Sequence, residues 1–140
     1  MKIMKRITWF LFVFIAFMSC GKFEEGPMIS FRSVKNRVSG EWTLDKYISN
    51  GVDSTEFYLN GGTEDYKFTS DFTVEYTEVG KDMVTGTWEI QDNLVLLRLE
   101  MESPQGLNYI EQDTLNLIRL TNQEMWAVYG NDVVKQFTAK

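Results

Sequence analysis

The 140-residue chain contains no histidine and a single cysteine, Cys20. Without histidine it lacks the commonest general base and a usual zinc ligand, and with one thiol it can build no disulfide framework. Neither a phosphate-cradling glycine loop nor a nucleophile elbow is present, so the familiar hydrolase and nucleotide-binding chemistries have no residues to run on. Basic residues are also scarce: of 14, Lys2, Lys5 and Arg6 precede Cys20, leaving 11 against 20 acids, a formal charge of −9 from Cys20 onward. With no basic cluster, such a chain repels phosphate backbones, and nucleic acid is not an expected partner.

What is present begins at the amino terminus. Lys2, Lys5 and Arg6 lead into an apolar run, Ile7 to Met18, which ends at Ser19 and Cys20. A positively charged start, a dozen apolar residues and a small residue before the cut describe a signal peptide, whereas a bilayer-spanning helix needs about 20. Phe17-Met18-Ser19-Cys20 resembles the lipobox of bacterial lipoproteins, with Phe17 and Met18 in place of the usual Leu and small residue. The resemblance implies cleavage before Cys20 and acylation of its sulfur. Each buried methylene adds about 0.8 kcal/mol, so two or three chains fix the protein to a membrane. Gly21-Lys22-Phe23-Glu24-Glu25 is similar to the charged export tether of surface lipoproteins of Bacteroidetes, and serves equally as a solubilising linker. The expected organisation is a signal peptide over 1–19, a lipidated tether over 20–29 and one domain over 30–140; the expected address is the cell envelope, lipid-anchored at the outer membrane and open to surface exposure.

Through the domain, apolar residues recur with period two. Phe72, Val74 and Tyr76 alternate with Thr73, Glu75 and Thr77; Val84, Gly86, Trp88 and Ile90 alternate with Thr85, Thr87, Glu89 and Gln91. Trp42, Leu44 and Ile48 open an earlier run, and Val95, Leu97, Leu99 and Met101 a later one. Alternation of this kind marks half-buried strands. Turn-forming pairs such as Asn50-Gly51, Asp92-Asn93 and Gly130-Asn131 separate them every ten residues or so, which makes consecutive hairpins and leaves no room for a helical crossover. One short helix is predicted across Ser30 to Ser39, from Phe31, Val34 and Val38, with Gly40 ending it. The fold class is therefore all-β, an antiparallel up-and-down barrel of about eight strands behind a short N-terminal helix, because closure removes the unpaired edges of a meander.

Gly40-Glu41-Trp42, following a short helix and opening the first strand, resembles the G-x-W motif of the lipocalins, and the layout from Ser30 onward looks like the small lipocalin-like lipoproteins of Bacteroidetes. The resemblance implies that Trp42 closes one end of the barrel and that an Arg or Lys near the last strands, Arg119 or Lys135, packs across it. The C-terminal helix of that family is missing here. It also implies a small apolar ligand in the open end, for which Phe72, Tyr76, Trp88 and Trp126 are the candidate contacts; aromatics at strand positions, Tyr109 and Tyr129 included, are more often core.

The remaining chemistry is carboxylate. Glu100, Glu102, Glu111 and Asp113 flank one hairpin and are readable as solvated strand ends, a catalytic pair or a calcium site. Asp53-Ser54-Thr55 and Asp113-Thr114-Leu115 resemble the O-glycosylation sequon of exported Bacteroidetes proteins, making Ser54 and Thr114 candidate acceptors. Two readings stay open: a non-catalytic barrel that binds a small hydrophobic molecule, needing no cofactor or metal, and a lipid-tethered interaction or structural subunit of an envelope assembly.

Overall fold

A computed structural model describes residues 33–140; the signal peptide, Cys20 and the tether lie outside the described residues. Ser33 caps a single-turn helix α1, Val34–Val38, its hydroxyl accepting from the Asn36 amide at 3.2 Å. Ser39 then turns extended and Gly40, at φ +148°, starts the first strand.

Strands follow as β1 (Gly40–Ser49), the two-residue β2 (Val52–Asp53), β3 (Asp65–Phe68), β4 (Thr73–Thr77), β5 (Val84–Gln91), β6 (Leu94–Glu102), β7 (Asn108–Leu120), β8 (Glu124–Tyr129) and β9 (Val133–Ala139). Each pairs antiparallel with its neighbour in the chain, except that β2 only extends the end of β1 and β3 takes its place beside β1. Closure comes from β1 pairing with β9, from Trp42↔Ala139 to Ser49↔Val133. The result is the expected up-and-down barrel, of eight staves.

Period-two parity sends Trp42, Phe68, Trp88, Leu97, Leu115 and Phe137 inward, and all are buried at 2% exposure or less. The lower half of the barrel is filled by such side chains, as an eight-stranded lumen permits. Its lower end is sealed by α1. Val38 is fully buried, its carbonyl accepts the Trp42 indole N–H at 2.8 Å, and the Arg37 guanidinium donates to the Leu120 carbonyl at 2.7 Å.

Three local features depart from the sequence reading. A bulge between Leu44 and Lys46 reverses parity, so that Tyr47, opposite the inward Lys135, faces the lumen and Ile48 faces out. A second helix, α2 (Thr55–Leu59), adds to the single helix expected from the sequence; it packs on upper β1, with the Tyr58 ring stacked on Tyr47 at 4.0 Å and 3° between planes. Phe72 belongs to the β3–β4 turn and not to a strand. Its φ of +67° is unusual for a bulky residue, and it is held by its amide donating to Thr69, its carbonyl accepting from Trp88, and Lys35 lying 4.0 Å over its ring.

Candidate functional site

The upper end is open on one side, and the register explains why. Pairing of β5 with β6 ends at Gly86↔Leu99, so Val84 and Thr85 have no partner on β6. Pairing of β6 with β7 continues to Glu102↔Asn108, while β8 meets β7 only from Asn116 onward. The β6–β7 hairpin thus rises past the barrel rim as an arm, parted from the β4–β5 loop. Between them lies a cavity of about 1030 Å³ that opens to solvent and reaches down to Lys135.

Strand parity builds its walls. On the arm, the directly opposed pairs Leu97·Asp113, Leu99·Glu111 and Met101·Tyr109 share the inner face, because Leu97 and Leu99 are buried. The facing wall is the Tyr76·Val84 pair of β4 and β5. Glu78, Lys81, Asp82 and Met83 supply the loop side.

A buried polar cluster underlies the cavity. Glu64 has no exposed surface and accepts from Lys135 Nζ at 2.8 and 2.9 Å; the Tyr58 hydroxyl donates to it at 2.7 Å and the Tyr76 hydroxyl at 3.4 Å. Lys135 Nζ also donates to Tyr58 at 3.0 Å and lies 4.8 Å over the Tyr129 ring. Burial raises the phenol pKa values of Tyr58, Tyr66, Tyr76 and Tyr129, and the negative charge of Glu64 adds to this in each. All four phenols stay protonated, and Tyr58 and Tyr76 act as neutral donors to Glu64. The cluster was not expected from the sequence, yet Glu64 precedes Tyr66, and Lys135 precedes Phe137, by the two positions that put both inside.

The predicted contacts separate accordingly. Tyr76 lines the cavity. Trp88 lies in the packed lower half, its ring 5.3 Å from Phe68 and its indole N–H donating to the Thr69 carbonyl at 3.1 Å. Phe72, in its turn, packs on Trp88 from below. Trp126 is on the outer face of β8, under the Arg119 guanidinium at 5.0 Å, because it alternates with the buried Met125 and Ala127. Arg119, ion-paired to Glu124 at 2.7 Å, and Lys135, in the upper lumen, are thereby both engaged away from Trp42; the arginine found at that end of the barrel is Arg37. Of the acids, Glu111 and Asp113 share the inner parity of the arm with Leu99 and Met101, whereas Glu100 and Glu102 take the opposite parity and border the cavity. Among the described residues no group of three or more carboxylate, thiol or imidazole side chains is arranged to hold a metal ion. Ser54 is half-buried before α2 and Thr114 is exposed on the outside of β7.

No protein-family model and no curated protein matches the sequence. Among solved structures, the chain is similar to a lipocalin-like protein from Bacteroides uniformis, at 13% identity and a TM-score of 0.49, over 74% of this chain and 99% of that one.

Proposed function

We propose that this chain is a lipocalin-like lipoprotein, anchored through Cys20 to the outer membrane of the cell envelope, whose barrel holds a small ligand with an apolar body in its upper mouth and performs no catalysis on it. The observation that carries the ligand-binding part is the cavity of about 1030 Å³ between the β6–β7 arm and the β4–β5 loop, walled by Tyr76, Val84, Leu99 and Met101. Sites of this kind are concave, mostly preformed and furnished with a few fixed polar groups. The Glu64–Lys135 cluster supplies a rigid polar floor. The anchoring part rests on the lipobox-like Phe17-Met18-Ser19-Cys20 alone.

A second reading, a tethered interaction subunit, is favoured by one specific observation. Val52, Phe57, Met83, Leu107, Tyr109 and Ile110 are exposed apolar residues, Phe57 at 91%, and all lie at the upper end of the barrel, opposite α1. An apolar rim suits a protein partner as well as a ligand's entry path.

Native mass spectrometry of the protein extracted from its own membranes tests both. A co-purifying small molecule of a few hundred daltons supports the first reading; a stoichiometric protein partner with an empty barrel supports the second. In the same spectrum, an acylated Cys20 at the new terminus supports anchoring, and an unmodified thiol removes it.

A further inference from the structure

The β6–β7 arm leaves one strand edge open. At its foot the Leu117 amide donates to the Asn93 carbonyl at 2.8 Å, and at its tip the Ser103 amide donates to the Leu107 carbonyl at 2.9 Å. In the register of this hairpin Leu117 stands opposite Asn93 and Leu107 opposite Ser103, so the odd-numbered residues of β7 direct their backbone groups to β6. The even-numbered residues Asn108, Ile110, Gln112 and Thr114 aim theirs the other way, where β8 takes over only at Asn116↔Val128. The Thr114 amide donates to the Asp113 carboxylate at 2.7 Å; the amides of Asn108, Ile110 and Gln112 have no acceptor among the described residues. The usual guards of such an edge, a Lys, a Pro or a bulge, are absent from Asn108 to Thr114, the bulge of β7 lying lower, between Leu117 and Arg119. Three exposed large apolar side chains, Leu107, Tyr109 and Ile110, fall in the same stretch.

We propose that this edge receives the same edge of a second copy of the chain: two arms pair antiparallel about a two-fold axis at Ile110 and form one continuous ribbon. Symmetry allows few registers, and charge chooses among them. Centred on Glu111 the pairing sets Glu111 opposite Glu111, and centred on Gln112 it sets Glu111 opposite Asp113; like charges directly opposed destabilise a ladder. Centred on Tyr109, it puts Gln112 beyond the strand, opposite the Gly106 turn. Centred on Ile110, it sets Ile110 opposite Ile110, Asn108 opposite Gln112, Tyr109 opposite Glu111 and Leu107 opposite Asp113, with no like pair. This register uses the open amides of Asn108, Ile110 and Gln112 and leaves the Thr114 amide to Asp113. It also covers part of the apolar surface of Leu107, Tyr109 and Ile110. One edge matching itself selects a second copy over an unrelated strand. The inference does not depend on what the mouth holds.

The test uses the chain from position 20 to its end with Cys20→Ala. Sedimentation velocity is expected to show a reversible dimer with a Kd of roughly 10–100 μM, weak because the interface is small, and tightening as salt screens the two acidic copies. Ile110→Pro removes an edge amide that bonds nothing within its own copy, so the monomer should keep its melting temperature while dimerisation weakens at least about tenfold. Register is read by oxidative cross-linking of single cysteines in the same background. Ile110→Cys should link to itself and Asn108→Cys to Gln112→Cys when the two are mixed, whereas Thr114→Cys, far from its own copy across the axis, should not. These chains keep the native edge amides and decide the matter even where Ile110→Pro disturbs the fold. A chain that stays monomeric to about 1 mM overturns the inference and leaves the edge to another protein's strand. A dimer indifferent to Ile110→Pro, or cross-linked through Thr114→Cys as readily as through Ile110→Cys, overturns it as well.

Discussion

Glu64 and Lys135 stand 71 residues apart in the chain and meet at 2.8 and 2.9 Å inside the barrel, where the carboxylate has no exposed surface. Burial of two charges is costly, and here it is offset by pairing together with hydrogen bonds from Tyr58 and Tyr76. Removing one partner leaves the other buried and uncompensated. Lys135→Met is therefore expected to destabilise by roughly 3–5 kcal/mol, a fall in Tm of about 15 °C or more. Lys135→Met combined with Glu64→Leu should recover much of that loss, since an apolar pair of similar volume needs no counter-charge. Thermal melts of the single and double variants check this; a double variant no more stable than Lys135→Met would contradict it.

The same cluster sets a pH response. Tyr58, Tyr66, Tyr76 and Tyr129 have raised phenol pKa values, burial being the first cause in each. A group whose pKa is higher folded than unfolded contributes stability below its unfolded pKa, which is about 10 for tyrosine, and loses it as pH rises beyond that. Stability should thus decline above about pH 10, and the four phenolates should appear together with loss of the fold. Phenolate absorbance recorded alongside circular dichroism tests the coupling; ionisation of these four well before unfolding would refute it.

Trp42 joins the helix to the barrel floor through its indole N–H on the Val38 carbonyl at 2.8 Å. Trp42→Phe keeps most of the apolar volume but strands a buried acceptor, costing about 1–3 kcal/mol. Trp42→Ala adds a cavity and should cost roughly 3–5 kcal/mol. Urea denaturation of the two variants checks both figures; equal losses would mean that the hydrogen bond, absent from both, and not the packing sets the cost.

Gly86 sits at a close approach of β5 to β6. A β-carbon there would lie 2.1 Å from the Arg98 carbonyl oxygen and 3.0 Å from the Leu99 α-carbon, both backbone atoms that cannot swing away. Gly86→Ala should break the last β5–β6 pair below the cavity and cost several kcal/mol, about 3 or more, by denaturant unfolding. Gly130→Ala, at a turn with φ +61° and open space around it, should cost about 1 kcal/mol. Similar losses at the two sites would contradict the close approach described for Gly86.

The barrel was legible because its code is local. Alternation in Val84–Ile90 and Val95–Met101, with turn pairs between, dictates hairpins, and a chain of hairpins with no crossover closes most simply as a cylinder. Trp42 packs at the end sealed by the helix, its indole N–H on the Val38 carbonyl. The site was less legible, for reasons that are geometric. The bulge beside Asp45 turned Tyr47 inward in place of Ile48, and no residue type announces it. Five-residue α2 shows too little periodicity to be recognised. Phe72 and Trp88 followed the alternation but landed in the packed half, and Trp126 fell on the outer parity of β8; only register places a side chain along and around a barrel. The charged residues of the lumen hid behind their type. Glu64, Glu111, Asp113 and Lys135 obey the same two-residue parity as Tyr66, Leu115 and Phe137, and counting charged positions in that pattern would have placed them on the inner face.

The central claim is that the upper mouth, and no other part of the barrel, receives a ligand. Amide chemical shifts of the chain from position 20 onward with Cys20→Ala, followed by NMR during titration with decylammonium and with decanol, test it most directly. Saturable shifts are predicted at Tyr76, Val84, Leu99, Met101, Glu111 and Lys135, with Trp88, Leu117 and Phe137 in the packed half unmoved. No saturable shift with either probe, or shifts centred on the α1 end or the outer face around Trp126, would contradict the account.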